Sequence, residues 1–256
     1  MTVEVRWLSR GLDDVPEGDG WLSPLEADRL ATMRYAKRSS EFLVSRATAK
    51  RAIAHAVGLP HDDPAALRRI EVRHKPTGAP VPFVDGAPTG LAMSSTDRAD
   101  RAVCVVGPGP GVAVGCDLEL VEERSAGFVA SYLTPDEQRV VARAQDAGLT
   151  ANLLWSAKES ALKVLETGLR RDTRSVEVRL GSEVVDGWSA LEVHPVEGGV
   201  FPGWWRREGR FLLSVAASVP IAPPVAFVEP DGLSTAVPTH RWLEAPLRPA
   251  RSPGST

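Results

Sequence analysis

The sequence predicts an α+β protein made of two similar α/β halves, and three observations carry that prediction. A strand, then helices, then further strands occur in that order twice along the chain. Capping boxes open the helical part of each pass, at Ser23-Pro24-Leu25-Glu26 and at Thr134-Pro135-Asp136-Glu137. The most turn-dense pentapeptide, Gly107-Pro108-Gly109-Pro110-Gly111, falls between the passes and reads as a hinge. The expected division is 1–108, 109–219 and a Pro-rich tail at 220–256.

The elements follow in order. Val3, Val5 and Trp7 alternate with Glu4 and Arg6, as in a half-buried strand over 3–8. A helical stretch runs from Pro24 to about Val57, broken near 37–40, and Gly58 supplies its C-terminal signal. Short strands are expected at 70–73, 91–94 and 102–106. After the hinge come a strand at 112–120, a helix opened by Thr134, a longer helix over about 150–167, and strands near 175–180, 191–194 and 211–219. Eight prolines fall in the last 37 residues, so the tail is expected to be extended or disordered and to sustain no sheet.

Composition narrows the function classes. With 256 residues, 43% apolar and 25% charged, the chain buries a real core and is neither fibrous nor disordered. A net charge of −3 gives no global field for nucleic acid. Cys104 and Cys116 sit inside apolar runs and read as buried free thiols of a reducing compartment. The N-terminus lacks a signal peptide's apolar stretch and nothing resembles a membrane helix, so a cytoplasmic protein is expected.

Three local patterns point to chemistry. In the strand 112–120, Val112, Val114, Cys116, Leu118 and Leu120 face the core, while Gly115, Asp117 and Glu119 share the other face. Two carboxylates at i and i+2 stand about 7 Å apart and can grip one hard divalent cation; alone, such a pair is also what an ordinary solvated strand carries. In the helix after Thr150, Leu154, Ala157, Ala161 and Leu165 form an apolar stripe, and Glu159 and Lys163, four residues apart, stand on its flank. They offer a third oxygen ligand and a cation one turn away. Between Arg29 and Arg51 lie seven cations (Arg29, Arg34, Lys37, Arg38, Arg46, Lys50 and Arg51) and one acid, Glu41, an asymmetry that calls for an anionic partner such as a nucleotide phosphate, an acidic protein or RNA. Sparse aromatics disfavour RNA, and no Walker loop or G-x-G-x-x-G supplies a phosphate cradle.

Together these segments resemble the Sfp-type 4′-phosphopantetheinyl transferases. The family's G-[IV]-D-[IVL]-E strand stands here as Gly115-Cys116-Asp117-Leu118-Glu119. Its W-[ST]-x-K-E-[SA]-x-x-K helix stands as Trp155-Ser156-Ala157-Lys158-Glu159-Ser160-Ala161-Leu162-Lys163, with Tyr132 to Glu137 similar to the step between them. The resemblance implies a pseudo-dimeric fold with the active site in the cleft between the halves, and a monomeric chain. It implies Mg²⁺ (or Mn²⁺) on Asp117, Glu119 and Glu159, with coenzyme A as co-substrate. The serine of an apo acyl or peptidyl carrier protein, as in polyketide and nonribosomal peptide biosynthesis, attacks the β-phosphate and releases 3′,5′-ADP. Glu159 orients or deprotonates that serine and Lys163 neutralises phosphate charge. Arg34, Lys37, Arg38, Arg46, Lys75, Ser94, Ser95 and Lys158 are the expected coenzyme A contacts. Two positions depart from the pattern: Ser95 stands where the family has histidine, and Ala79 where the G-[KR]-P turn has a cation, with His74 and Lys75 just upstream. A non-catalytic relative that binds carrier protein or coenzyme A, and a metal-dependent pyrophosphate hydrolase, are the alternatives.

Overall fold

The structure, a computed structural model, describes residues 2–229 and 231–240, so the expected tail's last part, 241–256, lies outside the described residues. Strand β1 (Arg6–Gly11) starts later than the expected 3–8; Val5 and Trp7 are fully buried as the alternation requires, but Leu8 and Ser9 are buried as well, so the strand is covered on both faces. Ser23 caps α1 (Pro24–Ala31), and Glu26 closes the capping box. The helical run breaks at Thr32 to Tyr35, a few residues earlier than expected, before α2 (Ala36–Val57). Gly58 ends α2 at φ 72°, a left-handed turn that a residue with a Cβ adopts only at a cost.

A short α3 (Pro64–Arg68) leads to β2 (Ile70–His74), β3 (Pro80–Val84) and β4 (Ala87–Pro88), which form a small antiparallel sheet. Then β5 (Ala92–Arg98) and β6 (Arg101–Gly107) pair as a hairpin, and β6 pairs with β1. The pass repeats with β7 (Val114–Leu120), α4 (Ala126–Tyr132), α5 (Pro135–Arg143) and α6 (Ala147–Val164). The strands β8 (Val176–Val185), β9 (Trp188–Pro195), β10 (Phe201–Glu208) and β11 (Phe211–Ala217) follow, in a sheet ordered β7-β11-β10-β9-β8. In both passes the opening strand pairs antiparallel with the closing one: β1 with β6, β7 with β11.

The two capping boxes do the same structural work. Glu26 lies 2.5 Å from the fully buried Lys50 of α2 and accepts from the Val72 backbone of β2. Glu137 lies 2.8 Å from the fully buried Lys158 of α6 and accepts from the Val178 backbone of β8. Each acid thus ties a short helix, a long helix and a strand together. A buried charge is tolerated only when paired and hydrogen-bonded in this way, and burial pulls both lysines below the ordinary lysine range despite their partners.

The packing runs across the boundary expected near residue 108. One hydrophobic cluster takes Val5, Trp7, Val103 and Val105 from the first sheet and Cys116, Leu118, Phe211 and Val215 from the second. The pentapeptide 107–111 is also less free than a hinge: a Cβ on Gly109 would meet the Gly90 carbonyl oxygen at 2.3 Å.

The tail expectation is corrected by the structure. Val3 forms a parallel bridge with Ile221, and β12 (Val225–Ala226) adds to the first sheet parallel to β1. Phe227 N–H donates to the Trp7 carbonyl, and Leu233 is fully buried in the shared core. Proline removes only its own donor; the residues between the prolines still pair at an open sheet edge.

Candidate active site

The strand β7 alternates as its sequence dictates. Val114, Cys116, Leu118 and Leu120 are buried in the core, while Gly115, Asp117 and Glu119 turn toward α6. Gly115 lets α6 lie against the strand, since a Cβ there would sit 1.9 Å from the Ser160 carbonyl oxygen. The serines of the helix motif complete the seat: Ser156 and Ser160 hydroxyls lie 2.7 and 2.8 Å from Ser214 Oγ of β11, and Ser156 donates to the Asp117 carbonyl. These buried hydroxyls are mutually satisfied, so the register of α6 on β7 is fixed.

That register brings Asp117, Glu119, Glu159 and Lys163 to one place. Lys163 Nζ donates to the Cys116 carbonyl at 2.7 Å and to Asp117 Oδ1 at 3.1 Å. Burial acts against its charge, but Asp117, Cys116 and Glu159 outweigh it and raise its pKa. Glu119 accepts from Trp155 Nε1 at 2.9 Å and from Arg124 at 3.1 Å, with Arg98 at 3.5 Å. Burial and Asp117 push the Glu119 carboxyl up, opposed by the two arginines. Glu159 is pushed up to about 7, first by burial and then by Asp117, with Glu119 adding and Lys163 opposing. Three carboxylates crowd one another here with cations between them.

Among the described residues, no set of three His, Cys, Asp or Glu side chains stands ready-made around a metal position. The donors nevertheless suit a hard cation. They are all carboxylate oxygens, and Asp117 Oδ2 is buried without a hydrogen-bond partner, an acceptor that a cation would satisfy.

Beside this cluster opens a cleft of about 590 Å³ between β2, β3 and β5 on one wall and residues 109–114 and the end of α6 on the other. Lys163, Lys75, His74, Ser94 and Ser95 line it. A side pocket of about 230 Å³ shares His74 and Ser95 with the cleft and is lined by Arg29, Arg38 and Arg46. His74 is held below the ordinary histidine range by burial and by Arg46 and Arg29.

The other expected coenzyme A contacts divide. Ser94 faces the cleft but its hydroxyl accepts from the Cys116 N–H. Arg46 lines the side pocket yet is anchored at Glu26 and the Val72 carbonyl, and its ring-side neighbour is Phe42. Lys37 faces a different pocket, beside Glu41, and Arg34 is exposed in the turn between α1 and α2, lining neither the cleft nor the side pocket. Lys158 is a correction: it is fully buried on the far side of α6, bound to Glu137 and to the Thr173 and Val176 carbonyls, and it reaches no cleft. Adjacent helix positions point about 100° apart, and Lys158 turns to Glu137, away from the face that carries Glu159. The basic run is likewise split, because Lys50 and Arg51 are buried against Glu26 and Asp62.

Sequence reasoning missed Thr96, whose hydroxyl donates to Asp117 Oδ1, and the Arg98 and Arg124 clamps on Glu119. No spacing signal marks these, since they come from other elements. Cys104 and Cys116 are buried free thiols, as expected, and no helix among the described residues is long and apolar enough to cross a membrane.

Residues 113–187 match the family model of the 4′-phosphopantetheinyl transferase superfamily. The resemblance drawn from the motifs is borne out over this segment, which runs from the start of β7 through α6 and β8 and contains Asp117, Glu119, Glu159 and Lys163. The match supports a phosphopantetheine-transferring role. No curated protein matches the chain.

Proposed function

We propose that this protein transfers the 4′-phosphopantetheine group of coenzyme A to a serine of an apo acyl or peptidyl carrier protein, releasing 3′,5′-ADP. The observation that carries the reading is the cluster Asp117, Glu119, Glu159 and Lys163, of which Lys163 also lines the cleft, inside the segment that matches the family. Transfer of this kind depends on positioning and on neutralising phosphate charge. The cleft supplies Lys75 and Lys163 for the phosphates, and His74 with Arg29 and Arg38 beside them.

Asp117, Glu119 and Glu159 would hold a divalent cation, which when bound neutralises pyrophosphate oxygens. Glu159, beside Asp117 and Lys163, would take the proton from the carrier serine. The serine oxygen forms its bond to the β-phosphorus as the bridging phosphorus–oxygen bond breaks, and the electron pair leaves on 3′,5′-ADP. Lys163 faces the charge that develops there. The cationic walls would also favour the acidic face of a carrier protein.

Incubation with coenzyme A, Mg²⁺ and an apo carrier protein, read by intact mass, tests the proposal. Carrier modification that is lost with a chelator or with Asp117→Ala is expected. An unmodified carrier overturns the reading, and release of 3′,5′-ADP without modification points to hydrolysis instead.

A further inference from the structure

Just past α6 the chain makes a contact that the transferase reading does not use. At Glu166 the backbone is left-handed (φ 55°), and the side chain reaches across the cleft mouth to the β2–β3 turn. Its Oε1 lies 2.5 Å from Lys75 Nζ, and its Oε2 accepts from the Thr77 hydroxyl at 3.0 Å. Arg170 donates to the Thr77 carbonyl at 2.7 Å, a second tie between the same two segments. Lys75, Thr77 and Glu166 all line the cleft, and among its described lining residues Glu166 is the one acid, set against Lys75, Lys163 and His74. The Lys75 and Thr77 hydrogen bonds hold its carboxyl below the usual carboxylate range.

We infer that Glu166 is an affinity-setting residue, an internal competitor with ligand phosphate for Lys75. The inference rests on coenzyme A being the ligand. A phosphate and the Glu166 carboxylate are both hard oxygen anions, and Lys75 Nζ cannot serve both at full strength. The pair is partly exposed, with Lys75 about half accessible, so it is weak enough to yield to a multiply charged ligand. The consequence falls on substrate and product alike, because coenzyme A and adenosine 3′,5′-bisphosphate carry the same phosphorylated nucleoside. A cleft without this carboxylate would grip both more firmly and be slower to release the product. Glu166 lowers both affinities together and so speeds product release.

Calorimetric titration of the full chain with coenzyme A and with adenosine 3′,5′-bisphosphate tests this. Glu166→Gln keeps the side-chain shape and should tighten both ligands by about three- to tenfold, the scale of removing one nearby partly screened charge. In a Lys75→Met background the same substitution should change little, since the competition has lost its object. The inhibition constant of the bisphosphate should fall by the same factor as the dissociation constant of coenzyme A, leaving their ratio unchanged. Unchanged affinities in Glu166→Gln, with wild-type protein binding coenzyme A, overturn the inference and leave the transferase reading standing. Equal tightening with and without Lys75 also overturns it, as general charge repulsion would then be the cause. If neither form binds coenzyme A, the transferase reading fails and this inference fails with it.

Discussion

Glu159 lets the carboxylate cluster be tested without any substrate. Burial, with Asp117 and Glu119 beside it, raises its pKa from the ordinary 4.5 to about 7. Between those values the folded protein holds a proton that the unfolded chain has released, so stability falls as pH rises through this window. Above it the full penalty persists, at most about 3 kcal/mol at 1.36 kcal/mol per pH unit. Glutamine mimics the protonated acid and escapes the penalty. Glu159→Gln should therefore be more stable than wild type by about 1–3 kcal/mol near pH 8.5 in the presence of a chelator, with the gap closing toward pH 4.5. Urea unfolding across that pH range measures it. Added Mg²⁺ should narrow the gap near pH 8.5, by stabilising the wild type more than the variant. A wild type no less stable than the variant near pH 8.5, or a gap independent of pH, would refute the crowding of carboxylates around Glu159.

Two further outcomes follow from packing. Lys158→Met leaves Glu137 as an unpaired buried acid and should cost about 3–5 kcal/mol in urea unfolding, while the Michaelis constant for coenzyme A of the folded fraction stays unchanged. Leu233→Ala removes a fully buried side chain from the shared core and should cost about 2–5 kcal/mol; a loss near zero in a thermal melt would mean that the tail does not dock on β1.

How much of this was legible in the sequence depends on how local each feature is. The capping boxes, the Gly58 stop and the alternation of β7 depend on neighbours within a few residues, and they appear where the pattern places them. Strands β3 and β10 were missed because Pro82 and Pro202 break the apparent run. Lys158 was misread because a motif shows which residues are present and not which way each points. Its neighbour Glu159 faces Asp117, whereas Lys158 turns to Glu137, an acid 21 positions earlier whose burial a single sequence does not reveal. The tail was misread for a related reason: its partner strand lies about 220 residues away, beyond the reach of any local pattern.

The seam between the two sheets explains why the site belongs to both passes of the chain. Strands β5 and β7 run side by side as edges of different sheets, and side-chain hydroxyls join them. Cys116 N–H donates to Ser94 Oγ and Leu118 N–H donates to Thr96 Oγ1, so orphan donors of β7 are satisfied without a continuous ladder. The Thr96 hydroxyl then donates its own hydrogen bond to Asp117 Oδ1, at 3.3 Å. One hydroxyl from the first pass thereby both closes the seam and orients a carboxylate of the second. Ser95, between these two contacts, points the other way and lines both the cleft and the side pocket. The work is thus divided along three residues of β5: Ser94, though it lines the cleft, and Thr96 spend their hydroxyls on the seam and on Asp117, while Ser95 lines the cleft and the side pocket.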